Sequence, residues 1–195
     1  MIYKILTLAD IHFGAMDPIR LFKELNKVIE YLENNKIDLL VIAGDYWDSK
    51  QSLNNKISVC GIEFMNKLRE LSLSNKFKIR IVLGTKAHDY DQLDVFDCFE
   101  DENFKIFRVN TSEETLPDLW AIYCPDENII NMEYMETYID NITKDDGYNI
   151  LYIKNEYYNE LSWSDVFSDI DEYKRDEQAY QQCYHQNTRS VWRCR

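Results

Sequence analysis

The sequence predicts an α/β protein whose N-terminal half is a parallel β-α-β-α-β unit. Two observations indicate this. Three short apolar runs alternate with two segments whose apolar residues fall at helical spacing. Polar residues or glycine follow each apolar run directly, as at the ends of strands. Connections of this length between strands favour parallel pairing with right-handed crossovers.

The first strand is predicted over residues 2–8, and a polar turn follows it. Asp17 and Pro18 are typical of a helix start, as N-cap and first-turn proline. Asn34 and Asn35 end this helix. Its predicted apolar face consists of Phe22, Leu25, Val28, Ile29 and Leu32.

The second strand, Asp38 to Ala43, is almost continuously apolar, which is typical of a strand covered on both faces. A second amphipathic helix is predicted over Ile57 to Leu73, and a third strand over Lys78 to Leu83. Further elements are predicted downstream, namely strands at Lys105–Val109 and Leu119–Tyr123, a helix near Met132–Ile142, and a strand at Tyr148–Ile153.

The last part of the chain has a different composition. Residues 154–180 are acidic and rich in tyrosine, and are expected to form one polar helix or none. Residues 181–195 contain three arginines and no acid, with neither a helical nor a strand period. The sequence therefore predicts a domain over 1–153 and, over 154–195, an acidic segment and basic tail of uncertain structure.

The chain of 195 residues carries 35 acidic and 22 basic side chains. The excess lies mostly in residues 111–195, with 18 acids and 7 bases. Such a balance excludes a generally basic nucleic-acid binder. The chain shows neither a signal peptide nor an apolar run of about 18 residues. Five scattered cysteines favour a reducing compartment, so the expectation is a cytoplasmic protein without a membrane partner.

Polar residues follow each of the three predicted strands at the point where the strand ends. Asp10 and His12 follow the first, Asp45 and Asp48 the second, and His88 the third. Ligands of parallel α/β sheets collect outside the carboxyl ends of the strands, so these side chains are expected to converge. Carboxylate oxygens together with imidazole nitrogen suit Mn, Fe or Zn better than Ca. The sequence therefore predicts a transition-metal site at this edge.

Each of these residues also has an ordinary structural explanation, since aspartate is common in turns. Asp45 fits that explanation less well, because an unpaired carboxylate directly after an apolar strand is costly without a counter-charge. Two of the three histidines also stand beside acids at successive strand ends. Tyr46 and Trp47 are expected to pack in the core, with stacking on a nucleic-acid base as the alternative.

Three motifs carry a resemblance to a known family. They are Asp-x-His at residues 10–12, Gly-Asp-x-x-Asp at 44–48, and Gly…His-Asp at 84–89. Together they resemble the calcineurin-like metallophosphoesterases, and most closely the SbcD-type DNA repair exonuclease subunits, including those of bacteriophages. The resemblance implies a metallophosphoesterase-type layered sandwich, with an incomplete C-terminal half in this chain.

The resemblance also implies a role for each site residue. Asp10 and His12 would bind a first divalent metal, Mn being the expected ion, and Asp45 would bridge it to a second. His88 would be the catalytic histidine that faces the leaving oxygen, and Asp48 would orient it. In the family the metals activate water for in-line attack on phosphorus.

This chain departs from the family pattern in two places. Where the family has Gly-Asn-His, residues 84–88 contain no asparagine, and Thr85 or a main-chain carbonyl is the candidate substitute. After His88 the chain contains only His185, without the family's downstream Gly-His-x-His. We therefore expect a poorly held second ion and weak or absent hydrolysis. A truncated chain, a frameshift near residue 150 and genuine divergence all agree with this pattern.

The resemblance implies a metal-dependent phosphodiesterase, specifically an SbcD-type DNA exonuclease subunit acting in repair or recombination. Its implied partners are DNA and an SbcC-like coiled-coil ATPase, with a homodimer as a further assembly. Its expected place is the cytoplasm, or the host cytoplasm for a phage protein. The alternatives are a non-catalytic fragment or pseudoenzyme of the same fold, a small-molecule phosphodiesterase, and a phosphoprotein phosphatase.

Overall fold

The structure is a computed structural model that describes residues 3–52, 55–125, 149–154 and 190–193. Its strands are β1 (Lys4–Leu8), β2 (Leu39–Ala43), β3 (Lys78–Val82), β4 (Phe104–Phe107), β5 (Thr111–Leu116), β6 (Leu119–Cys124), β7 (Asn149–Lys154) and β8 (Ser190–Arg193). The helices are α1 (Pro18–Asn34) and α2 (Lys56–Asn75), and a 3₁₀ segment covers Tyr90–Phe99. The predicted helix near Met132–Ile142 lies outside the described residues, as do residues 155–180.

The strands form two sheets. The first has the order β4-β3-β2-β1-β8, in which β1 to β4 run parallel and β8 runs antiparallel to β1. The second has the order β5-β6-β7. The predicted β-α-β-α-β unit is confirmed, and the predicted strands at Lys105–Val109, Leu119–Tyr123 and Tyr148–Ile153 correspond to β4, β6 and β7.

Two apolar cores lie on opposite faces of the first sheet. In β2, Leu40 and Ile42 join α1, α2 and the 3₁₀ segment in one core. Leu39 and Val41 join residues of the second sheet in the other. Because side chains alternate along a strand, a strand with both faces covered is apolar throughout. The layers are therefore helices, five-stranded sheet and three-stranded sheet, which confirms the layered α/β sandwich.

Helix α1 begins as predicted, because the Asp17 carboxylate accepts hydrogen bonds from the main-chain amides of Ile19 and Arg20, each at 3.1 Å. The predicted apolar face is wrong at one position. Leu21 is buried, whereas Phe22 is 37% exposed. Leu21 precedes Leu25 by four residues and so lies over it, while Phe22 lies one step around the helix from that stripe.

Three described elements were not predicted from the sequence, namely β5, β8 and the 3₁₀ segment. Strand β8 lies in the tail that shows no strand period, and it pairs with the outer edge of β1. This pairing satisfies main-chain groups that β1 would otherwise present at an open sheet edge. In the 3₁₀ segment, Leu93 and Phe96 are both fully buried, and a spacing of three residues matches the 3₁₀ period.

Candidate metal centre

The chain segments after β1 and β2 stay together beyond the ends of the strands. The main-chain amide of His12 donates to the Asp45 carbonyl at 3.0 Å, and that of Phe13 donates to the Tyr46 carbonyl at 2.9 Å. The Asp48 amide returns a bond to the Phe13 carbonyl at 3.1 Å. These bonds hold the Asp-x-His and Gly-Asp-x-x-Asp motifs side by side at one edge of the sheet.

Tyr46 and Trp47 anchor this edge in the core. The Tyr46 hydroxyl donates to the Gly61 carbonyl at 2.6 Å, and a β-carbon at Gly61 would lie 2.5 Å from the Trp47 ring. Trp47 also stacks on Phe96 with an interplanar angle of 5°. Both residues are at most 2% exposed, so the packing interpretation is confirmed and stacking on a base is excluded for them.

Three of the predicted ligands adopt a backbone conformation that is unfavourable for residues other than glycine. The φ angles are 51° at Asp10, 49° at His12 and 49° at Asp45. Each such residue costs on the order of 1 kcal/mol and persists only where its surroundings impose the conformation. Two of the three residues, His12 and Asp45, are joined directly by one of the main-chain bonds between the two motifs.

The side chains of Asp10, His12 and Asp45 converge, with one ligand atom from each lying within 4.8 Å of the others. His12 Nε2 lies 3.8 Å from Asp10 Oδ1 and 4.0 Å from Asp45 Oδ2. The other Asp45 oxygen, Oδ1, accepts the main-chain amide of Thr85 at 2.8 Å. Two carboxylates and one imidazole nitrogen at this spacing fit a borderline divalent cation.

A second group of potential ligands combines His12 with Asp48 and His88, again with atoms within 4.8 Å of one another. The His12 and His88 rings meet edge to face with centroids 4.7 Å apart. His88 Nδ1 contacts the main-chain carbonyl of Asp48. Because a carbonyl only accepts, this nitrogen must carry a proton, and the second nitrogen of His88 is left for other chemistry. The structure thus brings all five predicted site residues to one place.

Asp89 is a residue of the site whose role the sequence did not indicate. It is fully buried, and its carboxylate accepts the amides of Trp47 and Gly84, each at 2.9 Å. It thereby joins the segment after β2 to the segment after β3. Burial raises the pKa of Asp89 to about 6 against the opposing effect of these amides, and the nearby Asp45 charge raises it further. Its position directly after His88 is the sequence feature that could have indicated a place in the site.

The chain matches the description "Calcineurin-like phosphoesterase" over residues 3–185, most of its length. It belongs to the calcineurin-like phosphoesterase family. The chain is also similar to the "Double-strand break repair protein MRE11" of Gallus gallus, at 28% identity over 112 residues. The similarity covers 54% of this chain and 15% of that relative.

In this chain the segment after β3 approaches the site without an asparagine. A β-carbon at Gly84 would lie 2.2 Å from the Asp45 main-chain nitrogen, so only glycine fits there. Thr85 follows, and its buried hydroxyl has no hydrogen-bond partner among the described residues. The hydrogen bond from the Thr85 main-chain amide to the Asp45 carboxylate therefore joins this segment to the predicted bridging residue.

The rim of the site carries charges of both signs. Lys50, whose side chain is 77% exposed, pairs with Asp91 of the 3₁₀ segment at 3.3 Å. Arg108 contacts three acids of that segment and its end, namely Asp94, Asp97 and Glu100. Lys50 and Arg108 therefore both have acidic partners in or next to the 3₁₀ segment. Among the described residues, no helix is long and apolar enough to cross a bilayer.

Proposed function

We propose that this phosphoesterase is a metal-dependent phosphodiesterase, specifically a DNA exonuclease subunit of the SbcD type. The observation that carries the proposal is the convergence of Asp10, His12 and Asp45 at one sheet edge, with His88 beside them. The similarity to MRE11, a double-strand break repair protein by name, supports a nuclease within the family.

In the proposed mechanism, Asp10, His12 and Asp45 would hold a divalent metal, for which Mn is our choice. When bound, such an ion supplies Lewis-acid stabilisation of the phosphoryl charge and activates water. His88 keeps one proton at Nδ1 through the Asp48 carbonyl. A second proton at Nε2 can then pass to the leaving oxygen, which is the general-acid role assigned to His88. Asp48 remains our candidate for positioning this histidine.

The proposal extends to partners and place. DNA is the proposed substrate, an SbcC-like coiled-coil ATPase and a second copy of the chain are the proposed partners, and the cytoplasm is the proposed compartment, in a phage-infected host if the gene is viral. We retain residues 1–153 as the domain that carries the site. Residues 154–195 would then be an appendage whose tail contributes β8.

A non-catalytic, metal-binding member of the fold is the second candidate, and a specific observation favours it. The resemblance implies a metal-binding asparagine between Gly84 and His88, and this segment contains none. Among the described residues, the second ion would share Asp45 with the first and gain few further ligands. A two-metal clamp needs both ions about 3.5–4 Å apart, so its loss would leave metal binding without effective hydrolysis.

The test separates these functions. Linear duplex DNA, single-stranded DNA, bis-p-nitrophenyl phosphate, p-nitrophenyl phosphate and a phosphoserine peptide are incubated with Mn²⁺, Zn²⁺ or Mg²⁺. We expect slow Mn²⁺-dependent cleavage of the DNA and the diester, which disappears in Asp45→Asn and persists in Glu63→Gln. Glu63 is an exposed acid of α2 and controls for the loss of one charge. Metal binding without any cleavage would favour the non-catalytic candidate, and cleavage of the monoester or peptide alone would favour a phosphatase.

A further inference from the structure

Asp48 lies against both histidines of the site, and it meets them with different atoms. Its main-chain carbonyl contacts Nδ1 of His88. Its carboxylate oxygen Oδ1 lies 3.5 Å from Nδ1 of His12. The Asp48 amide is bonded to the Phe13 carbonyl, which fixes Asp48 next to the segment that carries His12. The side chain of Asp48 is therefore placed to act on His12.

The two nitrogens of His12 face different groups. Nε2 faces Asp10 and Asp45, the carboxylates proposed to hold the metal. Nδ1 is buried and makes no hydrogen bond within the described residues, since 3.5 Å to Asp48 is too long for one. A buried ring nitrogen without a partner costs free energy, and the Asp48 carboxylate is an acceptor only 3.5 Å from it.

The chemistry of the imidazole selects one of its two neutral forms. With the proton on Nε2, the ring would present hydrogen where a cation is to bind, and Nδ1 would direct a lone pair at the Asp48 carboxylate. With the proton on Nδ1, the ring donates toward Asp48 and turns the Nε2 lone pair toward Asp10 and Asp45. Histidines that bind metals generally donate their other N–H to a carboxylate or carbonyl in this way.

We infer that the Asp48 carboxylate is a positioning residue for His12, holding its proton on Nδ1 so that Nε2 serves as a metal ligand. The inference rests on the proposed metal centre. It assigns to the two parts of Asp48 two separate tasks, the carboxylate on His12 and the carbonyl on His88. For this task the 3.5 Å between the Asp48 carboxylate and Nδ1 of His12 must shorten to hydrogen-bond length.

The inference is tested by Mn²⁺ calorimetry on Asp48→Ala, Asp48→Asn and the exposed control Glu63→Gln. Asp48→Ala should lower the affinity by about 10–100-fold, as for other residues that support a ligand. Asp48→Asn keeps an acceptor oxygen and should retain most of the affinity, and Glu63→Gln should bind Mn²⁺ like the parent. Affinity unchanged in Asp48→Ala would overturn the inference. If Asp48→Ala does not fold, Asp48→Leu, of similar size and without an acceptor, replaces it.

A measurement without metal separates this inference from the proposed function. The chain contains three histidines, so ¹⁵N spectra of the imidazoles are simple, and His88→Ala assigns one of them. In chelator, His12 should carry its proton on Nδ1 in the parent and lose that preference in Asp48→Ala. The same form in both proteins would contradict the positioning role. A parent that shows the expected form yet binds no metal would refute the metal centre alone.

Discussion

Glu113, between the two sheets, and Asp89, beside the candidate metal centre, are both acids withdrawn from water, and the chain treats them differently. Arg80 Nε donates to Glu113 at 2.6 Å, and Lys105 contacts its other oxygen. Burial by itself would raise the pKa of Glu113, but these two cations outweigh it and lower that pKa. Asp89 is held by main-chain amides alone, and its pKa is raised to about 6, chiefly by burial.

The two regions differ in whether cations of the chain neutralise their acids. Between the sheets, the charge of Glu113 is neutralised within the chain. At the site, Asp45, Asp48 and Asp89 form no ion pair with lysine or arginine of the described residues, and Asp45 and Asp48 lie 4.0 and 3.5 Å from nitrogens of His12. Acids gathered without cations create a negative potential that a divalent ion would relieve. The first region stabilises the fold, and the second is where we propose that a divalent cation binds.

The largest effect on stability is expected when the Arg80–Glu113 ion pair between the sheets is broken. Arg80 is 1% exposed and also donates to the Ile79 carbonyl at 2.9 Å. Arg80→Met leaves Glu113 with one partner, so the free energy of unfolding should fall by about 3–5 kcal/mol. Denaturant unfolding measures this change. The control is Lys67→Met, which removes an exposed ion pair between Lys67 of α2 and Glu33 of α1 and should change stability little. A loss under 1 kcal/mol would show that Glu113 does not depend on Arg80.

The contribution of Asp89 to the free energy of unfolding should decrease as pH rises, because its pKa is raised in the folded protein. The pKa of Asp89 is about 6 in the folded protein and near 3.8 when unfolded, so the folded state binds the proton more tightly. Its contribution to stability is complete below pH 3.8 and is lost as pH rises through 6, a difference of about 3 kcal/mol. Unfolding in chelator between pH 4 and 7, compared with Asp89→Asn, isolates this contribution.

Glu113 should show the opposite sign, because its pKa is lowered in the folded protein. Its contribution is present above the unfolded pKa and is lost as pH falls through the folded one. The stability difference between the parent and Asp89→Asn should therefore fall as pH rises from 4 to 7. The difference between the parent and Glu113→Gln should instead rise with pH below about 4.5, the ordinary pKa of glutamate, and stay level above it. Equal slopes for the two differences would remove the contrast between the regions.

A divalent cation that binds only the folded protein should raise its stability by mass action. At a free Mn²⁺ concentration 100 times the dissociation constant, the free energy of unfolding should rise by about 2.7 kcal/mol. Asp45→Asn should abolish most of this rise, and Arg80→Met should keep it despite its lower starting stability. Thermal unfolding with and without Mn²⁺ measures both. An equal rise in Asp45→Asn would place the ion elsewhere.

The smallest net effect is expected when both members of the inter-sheet pair are replaced. In Arg80→Met combined with Glu113→Leu, no uncompensated acid remains between the sheets. Buried pairs replaced by apolar residues of similar size often cost little, so most of the loss in Arg80→Met should be recovered. Denaturant unfolding of the single and double variants gives the coupling between the two sites.

Local patterns determined much of this molecule. The apolar run of β2 and the start of α1 at Asp17 follow from spacing and side-chain type within a few residues. The strand ends follow too, and with them the convergence of Asp10 and His12 with residues after β2 and β3, since parallel strands end at one edge of a sheet. The placement of the five site residues was therefore accessible from the sequence, while their roles in metal binding and catalysis remain proposals.

Tertiary contacts decided the rest. Strand β8 exists because β1 offers an open edge about 180 residues away in the chain. The burial of Asp89 and the contact of the Asp48 carboxylate with His12 depend on segments some 40 residues apart. Whether Leu21 or Phe22 of α1 is buried depends on the residues that the helix packs against. No local period encodes such contacts, because they form only when distant parts of the chain fold against each other.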